Sequence, residues 1–117
     1  DTGHMLFAGG NSLKIIKEFG NKIVHVHCKD MRKKVLEKAI KQDLSFRHAF
    51  LEGAFTVPGD GCIDYKPILN ELKKINYNNW FVVEAEQDPK KANPLEYAIK
   101  GYAYLTKTLS DTGFNIQ

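Results

Sequence analysis

The sequence predicts an α/β fold assembled from parallel βα units. Two apolar runs at residues 22–28 and 80–86 contain the β-branched and aromatic residues that favour buried strands. Stretches with apolar residues at helical spacing alternate with these two strands, an order that is typical of parallel sheets. Because two parallel strands can neither close a barrel nor bury both faces of a sheet, we expect the chain to be the last part of a larger α/β domain.

The helices are predicted from capping residues and from apolar spacing. In chain order they are one capped by Asn11 or Ser12 and ended by Gly20, one at 33–41, a short one after Ser45, one after Asp64, and a long one after Asn93. The long helix has the strongest start signal, because Asn93, Pro94 and Glu96 combine an N-cap, a first-turn proline and a glutamate three residues after the cap. Its buried side is predicted to contain Ala98, Ile99, Tyr102, Leu105 and Leu109.

Two segments outside the helices are also interpreted. Residues 55–64 contain Pro-Gly and Gly-Asp-Gly, which predict a loop. Residues 110–117 lack a packing pattern and are predicted to be a frayed tail after the folded unit at 1–109.

The composition is that of one small globular unit and argues against several functional classes. Hydrophobic residues make up 43% of the 117 residues and charged residues 26%. The net charge of +3 is mild and the lysines are spread along the chain, so neither nucleic acid nor a membrane is an expected partner. With Cys28 and Cys62 as its two cysteines, the chain is expected in a reducing cytoplasm rather than among disulfide-stabilised proteins.

Ionisable side chains follow three predicted strand ends. They are Asp1 and His4 at the opening DTGH, interpreted as the end of a third strand; His25, His27 and Lys29 after the first complete strand; and Glu84 and Glu86 after the second. Chemistry in parallel α/β domains gathers at the carboxyl ends of strands. Carboxylate and imidazole groups together suit Mn, Co, Fe or Zn better than Mg or Ca, so these residues predict a divalent metal site.

Five motifs identify a family resemblance. They are DTGH at 1–4, FAGG at 7–10, HVHCKDMR at 25–32, FTVPGDGCID at 55–64 and VVEAEQDPKKANPLEYA at 82–98. With these motifs the chain resembles the carboxyl-terminal portion of the inosose dehydratase family, within the xylose-isomerase-like superfamily of sugar isomerases and epimerases. The resemblance implies an incomplete (β/α)8 TIM barrel that runs from the end of the sixth strand through the last helix, with the N-terminal barrel segment missing.

The resemblance also implies roles for individual residues. The superfamily holds one divalent metal with two glutamates, an aspartate and a histidine, and the matching positions here are Asp1, His27 and Glu84. The remaining glutamate ligand would lie upstream of residue 1. His4 would contact the substrate, and Glu84, His4 and Lys29 are the expected catalytic residues.

One position departs from the superfamily pattern. Superfamily epimerases often place an arginine six residues beyond the metal histidine, where this chain has Lys33, with Arg32 one residue earlier. A substrate role for either residue is therefore left open.

The activity implied for the parent chain is the metal-dependent removal of water from 2-keto-myo-inositol, also called scyllo-inosose, to give a diketone in inositol catabolism. Mn or Co is the expected metal, with Zn, Fe or Mg as alternatives, and a thiol cofactor such as glutathione is compatible with the reaction. A sugar isomerase or epimerase is the alternative enzyme, because it shares the enediolate intermediate. A non-catalytic fragment that associates with the missing segment or with itself is the alternative outside enzymes.

Several neighbouring side chains keep two interpretations. His25 is read as a support for His27 or as a core residue, and Lys29 as a substrate-facing cation or as part of a salt bridge. Glu86 either tunes the site or is a solvated strand end. Asp30 is expected to cap a loop. The aromatic residues Trp80, Tyr102 and Tyr104 are expected to be buried by packing.

Overall fold

The computed structural model describes residues 1–116 as a mixed α/β structure. Its elements in chain order are α1 (Thr2–Phe7), α2 (Ser12–Phe19), a 3-10 turn (Gly20–Lys22), β1 (Val26–Cys28), β2 (Asp30–Met31), α3 (Lys33–Lys41), α4 (Phe46–Leu51), β3 (Phe55–Thr56), α5 (Tyr65–Lys74), β4 (Phe81–Val83) and α6 (Pro94–Asp111). Across these described residues, none of the helices combines the length and the apolar character that crossing a membrane requires. The predicted helices are all present, and the structure adds α1.

The sheet pairs β1 with β4 in parallel, with His27 opposite Val82 and Cys28 opposite Val83. This parallel pairing of strands separated by helices confirms the predicted βα organisation. Both strands are three residues long, shorter than the apolar runs that predicted them. Strand hydrogen bonds form only where β1 and β4 lie side by side. The length of an apolar run therefore overestimates the length of the strand.

A second, antiparallel pair joins β2 to β3, with Asp30 opposite Thr56 and Met31 opposite Phe55. The prediction of a continuous loop at 55–64 is therefore wrong at its first two residues. Phe55 and Thr56 are fully buried, and strand pairing satisfies the backbone groups that this burial removes from water. The remaining turn begins after this strand.

The main core lies between the parallel sheet and helices α2, α5 and α6. It contains Ile16, Val26, Cys28, Tyr65, Ile68, Leu69, Leu72, Tyr77, Leu105 and Leu109. A smaller cluster beside it joins β2, β3, α3 and α4 through Met31, Leu36, Ala39, Ala49, Ala54 and Phe55. The two clusters support opposite sides of the segment that runs from β1 into β2, and this segment carries the candidate site.

The opening DTGH differs from its predicted form. Residues 2–4 belong to α1 rather than to the end of a strand, and Asp1 is the N-cap of this helix. Its side chain accepts a hydrogen bond of 2.7 Å from the His4 amide, a local contact that favours a helix start. Asp1 and His4 therefore lie at a helix N-terminus that packs against β1 and β2.

Helix α6 buries only part of the face that the sequence predicts. Leu105 and Leu109 are buried as expected, but Ile99 and Tyr102 are 60% and 63% exposed. The buried face passes instead through Gly101, where a Cβ atom would come within 2.7 Å of Val83 and 2.8 Å of Val57. The close approach of helix and sheet at this glycine decides which side of α6 faces inward.

The packing prediction for Trp80 is also wrong. Trp80 is 76% exposed just before β4. Tyr104 is half-buried and contacts Tyr65, with ring centroids 6.2 Å apart.

The end of the chain packs further than predicted. Helix α6 continues to Asp111, and the Phe114 ring lies 5.3 Å from the Phe81 ring, centroid to centroid. The Phe114 amide donates a hydrogen bond to the carbonyl of Leu109. Residues up to 114 therefore contact the main core, where the sequence predicts fraying. The predicted fraying at Gln117 lies outside the described residues.

Candidate metal centre

The start of α1 is held against the end of β1 by Thr2. Its hydroxyl donates a hydrogen bond of 2.7 Å to the carbonyl of Lys29 and lies 2.8 Å from the Tyr65 hydroxyl. The single proton of the Tyr65 hydroxyl has two acceptors in reach, the Thr2 hydroxyl oxygen and the same carbonyl at 3.0 Å. All three groups are buried, so the contacts satisfy polar atoms that water cannot reach. This anchor brings Asp1 and His4 beside the residues that follow β1.

Gly3 allows Lys29 to pass beneath α1. A Cβ atom at position 3 would lie 2.8 Å from Cγ of Lys29 and 3.0 Å from its Cβ, closer than carbon atoms approach without displacement. Glycine at this position therefore sets the path of the buried lysine side chain.

Replacing Gly3 with alanine is expected to lower the free energy of unfolding by about 1–3 kcal/mol, because the added methyl group overpacks a filled site. Urea denaturation measures the change. In a Lys29→Ala background the same replacement should cost little, since the atoms it strikes are gone. Equal losses in the two backgrounds would show that crowding against Lys29 is not the cause.

Three potential metal ligands converge at the ends of β1, β4 and the start of α1. One ligand atom from each of Asp1, His27 and Glu84 lies within 4.8 Å of the other two. His27 Nδ1 is 2.9 Å from Glu84 Oε2 and 3.8 Å from Asp1 Oδ2. Metal–ligand bonds of about 2.1 Å separate neighbouring ligand atoms by roughly 3 Å, so the donor spacing fits one cation with modest adjustment.

A buried oxygen of Glu84 provides a second test of this fit. Within residues 1–116, Oε2 of Glu84 is the buried side-chain atom without a hydrogen-bond partner. Its 2.9 Å contact with Nδ1 of His27 is not a hydrogen bond, and the Lys29 ammonium lies 3.3 Å away. The charge of Lys29 therefore compensates this oxygen, which keeps lone pairs that can coordinate a cation.

Lys29 lies at the centre of the charged groups and is fully buried. Its ammonium nitrogen is 3.2 Å from Asp1 Oδ2, 3.3 Å from Glu84 Oε2 and 3.1 Å from Glu86 Oε2. It also lies 3.0 Å from Nε2 of His4. These ion pairs support the interpretation of Lys29 as part of a salt bridge rather than as a substrate-facing cation. Three carboxylates share one ammonium, so negative charge remains that a divalent cation would balance.

Glu86 contacts side-chain nitrogen atoms of both His4 and Lys29. Its Oε2 atom is 2.7 Å from Nε2 of His4 and 3.1 Å from Nζ of Lys29. Burial alone would raise the pKa of Glu86, but the hydrogen bonds from His4 and Lys29 and their charges outweigh it and hold that pKa below its usual range. Side chains two residues apart along a strand lie on the same face, so Glu86 shares the face of Glu84 and reaches the same cluster.

Asp30 holds the turn at residues 58–61, as its expected capping role requires. Its fully buried carboxylate accepts backbone hydrogen bonds from Met31, Gly59 and Ile63 at 2.7, 3.2 and 2.9 Å. Burial raises the pKa of Asp30 and outweighs these hydrogen bonds. Asp30 therefore supports the loop and lies outside the group of ligands.

Arg32 joins distant segments around the same edge of the fold. Its guanidinium donates to Asp60 and to Gln87, both at 2.9 Å, and to the Tyr97 hydroxyl at 3.3 Å. Lys33 is exposed and lies 3.9 Å from Glu37. Arg32 thus binds other parts of the chain, and no sequence pattern indicated this, because its hydrogen-bond partners are 21 to 65 residues away.

The other residues of the β1 segment have simpler surroundings. His25 is exposed, with its ring 5.3 Å from the His27 ring, so the core interpretation of His25 is wrong. Cys28 is fully buried in the main core, and burial raises the pKa of its thiol to about 12, so this thiol stays protonated. Cys62 is an exposed free thiol in the loop.

Comparison with known proteins identifies the family of the chain. The family described as "Xylose isomerase-like TIM barrel" matches residues 1–108. The chain is 51% identical to the inosose dehydratase of Clostridium beijerinckii over 97% of its own length, and 49% identical to that of Clostridium botulinum over 94%. It is also 49% identical, over 99% of its length, to the rhizopine catabolism protein MocC of Rhizobium meliloti.

The matched region is a minor part of these relatives. The chain covers 37% of each of the two dehydratases and 36% of the rhizopine catabolism protein. The match nevertheless includes every strand and helix that carries the candidate ligands. By this match the chain belongs to the xylose isomerase-like TIM barrel family.

Proposed function

We propose that the chain is the carboxyl-terminal part of a longer barrel enzyme that removes water from an inosose. In this proposal, residues 1–109 are its last βα units, and a divalent cation is held by Asp1, His27 and Glu84. The observation that carries the proposal is the convergence of these three donors around a buried oxygen of Glu84 that has no hydrogen-bond partner among the described residues. Similarity to relatives named inosose dehydratase supports the substrate class.

The missing part of the barrel would complete the site. Because the chain covers 37% of the dehydratases that it resembles, the earlier strands, and with them a fourth ligand, would come from upstream sequence. The mixed carboxylate and imidazole donors favour Mn or Co over Mg or Ca.

The proposed reaction begins with the loss of a proton from the carbon beside the ketone of the inosose. The cation would polarise the ketone oxygen of the inosose and stabilise the negative charge that develops when the neighbouring carbon loses its proton. Glu84 accepts that proton, since its carboxylate lies at the centre of the site and is one-third exposed. The hydroxyl on the next carbon then leaves as water, and the product is a diketone.

His4 and Lys29 have different parts in this scheme. The His4 side chain is 42% exposed and contacts the substrate, whereas Lys29 is fully buried and keeps the carboxylates in place from behind. The rings of Phe46 and Phe55 meet the His4 ring edge-on, with centroids 5.6 and 5.4 Å away. Phe55 is fully buried and supports the His4 ring from behind, whereas Phe46 is exposed and offers an apolar surface beside it that suits the C–H face of a cyclitol ring.

Incubating the whole protein that contains this chain with scyllo-inosose tests the proposal. Mass spectrometry should detect a product lighter by one water with Mn²⁺ present. Removing the cation with a chelator should slow the reaction at least about a thousandfold, because charge stabilisation by a metal is worth several kcal/mol. Undiminished turnover in chelator would refute the metal role, and a product of unchanged mass would identify an isomerase or epimerase instead.

A further inference from the structure

Helix α6 carries a row of large apolar side chains that stays exposed in the described chain. Leu95, Ile99 and Tyr102 are 69%, 60% and 63% exposed. They follow one another at spacings of four and three residues, so they lie along one side of the helix. We call these three residues the α6 stripe. A contiguous exposed apolar surface of this kind marks a site of contact with another segment or molecule.

The remaining exposed side of α6 is charged. It contains Glu96, Lys100, Lys107 and Asp111 at spacings of four, seven and four residues. Charged residues therefore cover the side of the helix that faces water, and they are absent from the stripe. In an amphipathic helix this separation indicates that the apolar side is wider than the part buried by Leu105 and Leu109.

The stripe points away from helix α5. Tyr104 contacts Tyr65 at the start of α5, with ring centroids 6.2 Å apart. Side chains two residues apart on a helix point about 200° from each other, so Tyr102 lies on the side opposite Tyr104. Because α5 follows β1 and α6 follows β4, the two helices lie side by side next to the paired strands. The stripe therefore faces outward past β4.

Strand β4 is open on the same side. It pairs with β1 along one edge, and within residues 1–116 its other edge has no strand partner. Its residues Phe81–Val83 are apolar but only half-buried. An unpaired strand edge leaves backbone donors and acceptors free to bind another strand. The open edge and the stripe thus lie next to each other, and one strand followed by one helix would cover both.

The lengths of the relatives indicate where such a unit comes from. The chain covers 37% of the dehydratases that it matches, and its family is a TIM barrel. In this barrel each parallel strand is followed by a helix, and the ring closes when the last strand pairs with the first. Two copies related by a two-fold axis would pair β4 with β4 either antiparallel or with their helices on opposite faces, and neither arrangement continues a barrel.

We propose that the α6 stripe and the open edge of β4 bind the first βα unit of the upstream segment, within the same molecule. The strand of that unit pairs in parallel with β4, and its helix packs on Leu95, Ile99 and Tyr102. This inference rests on one part of the proposed function, that the chain is the end of a longer barrel, and not on the reaction. The stripe is then buried in the whole protein at any protein concentration.

Hydroxyl-radical footprinting of the whole protein, read by mass spectrometry, tests this burial without a substitution. Tyr102 should be modified at least about fivefold more slowly in the folded protein than in the protein unfolded by urea, because a packed helix side is closed to solvent. The protection should persist when the protein is diluted until size-exclusion chromatography shows monomers. Modification of Tyr102 at the unfolded rate overturns the inference. Protection that is lost in the monomer also overturns it and identifies a second copy as the partner.

A charged substitution gives an independent measurement. Ile99→Asp should lower the melting temperature of the whole protein by about 5–10 °C, because it places an unpaired carboxylate in a packed interface. Ile40→Asp is the matched control, since Ile40 is 69% exposed on α3 and lies outside the stripe. It should shift the melting temperature by less than about 2 °C, as surface substitutions do. Equal shifts in the two variants would contradict burial of the stripe.

An assay of inosose dehydration on the same wild-type preparation separates this inference from the proposed function. Dehydration by a protein whose Tyr102 is freely modified overturns the docking surface and leaves the proposed reaction standing. Protection of Tyr102 in a monomer that does not dehydrate the inosose has the reverse meaning.

Discussion

Replacing His27 with alanine is expected to weaken Mn²⁺ binding at least about a hundredfold, because removing even an outer partner of a metal ligand costs about 10–100-fold in affinity. His27 contributes the nitrogen that lies 2.9 Å from Glu84 and 3.8 Å from Asp1, so its loss leaves two carboxylates to hold the cation. Isothermal titration calorimetry of the whole protein measures the change in affinity. The dehydration rate should fall with it.

His25 provides the matched control for this substitution. It is the same residue type on the same segment, exposed, with its ring 5.3 Å from that of His27. His25→Ala should leave Mn²⁺ affinity almost unchanged. If the two variants bind the metal equally well, His27 is not a ligand.

Replacing Lys29 with methionine is expected to lower the free energy of unfolding of the metal-free protein on the order of 3 kcal/mol. The ammonium is fully buried and within 3.3 Å of the carboxylates of Asp1, Glu84 and Glu86, so its removal leaves three like charges without their shared partner. Mn²⁺ supplies positive charge at the same place. The metal should therefore raise the melting temperature more in the variant than in the wild-type protein, as differential scanning fluorimetry can show.

Lys14→Met is the control for charge removal alone. Lys14 is exposed on α2 and lies 3.9 Å from Glu18, an arrangement worth little in water. It should alter neither the stability nor the response to Mn²⁺. An unchanged melting temperature in metal-free Lys29→Met would mean that the buried ammonium does not offset the carboxylates.

The parts of the fold that depend on local interactions were predictable from the sequence. Ser45 and Asn93 cap α4 and α6 at the predicted positions, because a side-chain oxygen satisfies the first free amides of a helix wherever it occurs. The strand segments were found because β-branched residues concentrate in them. Their lengths were not, since β1 and β4 extend only where a partner strand supplies hydrogen bonds.

Features that depend on distant contacts were not predictable. The buried side of α6 is decided by the fit of Gly101 against Val57 and Val83, which lie in other segments. The hydrogen bonds of Arg32 span up to 65 residues of sequence. A single sequence contains local spacing but not contacts between distant segments. The predicted buried face of α6 is therefore right at Leu105 and Leu109 but wrong at Ile99 and Tyr102, and Arg32 was left without a role.

The candidate site was predictable in part. The sequence places His27, Lys29, Glu84 and Glu86 at the ends of two predicted strands, and the structure brings them together. Asp1 reaches them as the N-cap of a helix rather than from a strand end. The identity of the converging side chains could therefore be predicted, whereas the direction from which Asp1 approaches could not.

The most direct test of the metal centre is anomalous X-ray scattering from crystals of the whole protein grown with Mn²⁺. The account predicts a peak within about 2.0–2.3 Å of Oδ2 of Asp1, a ring nitrogen of His27 and a carboxylate oxygen of Glu84, as first-row metal bonds require. A manganese peak bound elsewhere, or a protein that dehydrates inosose with no peak among these three side chains, would contradict it.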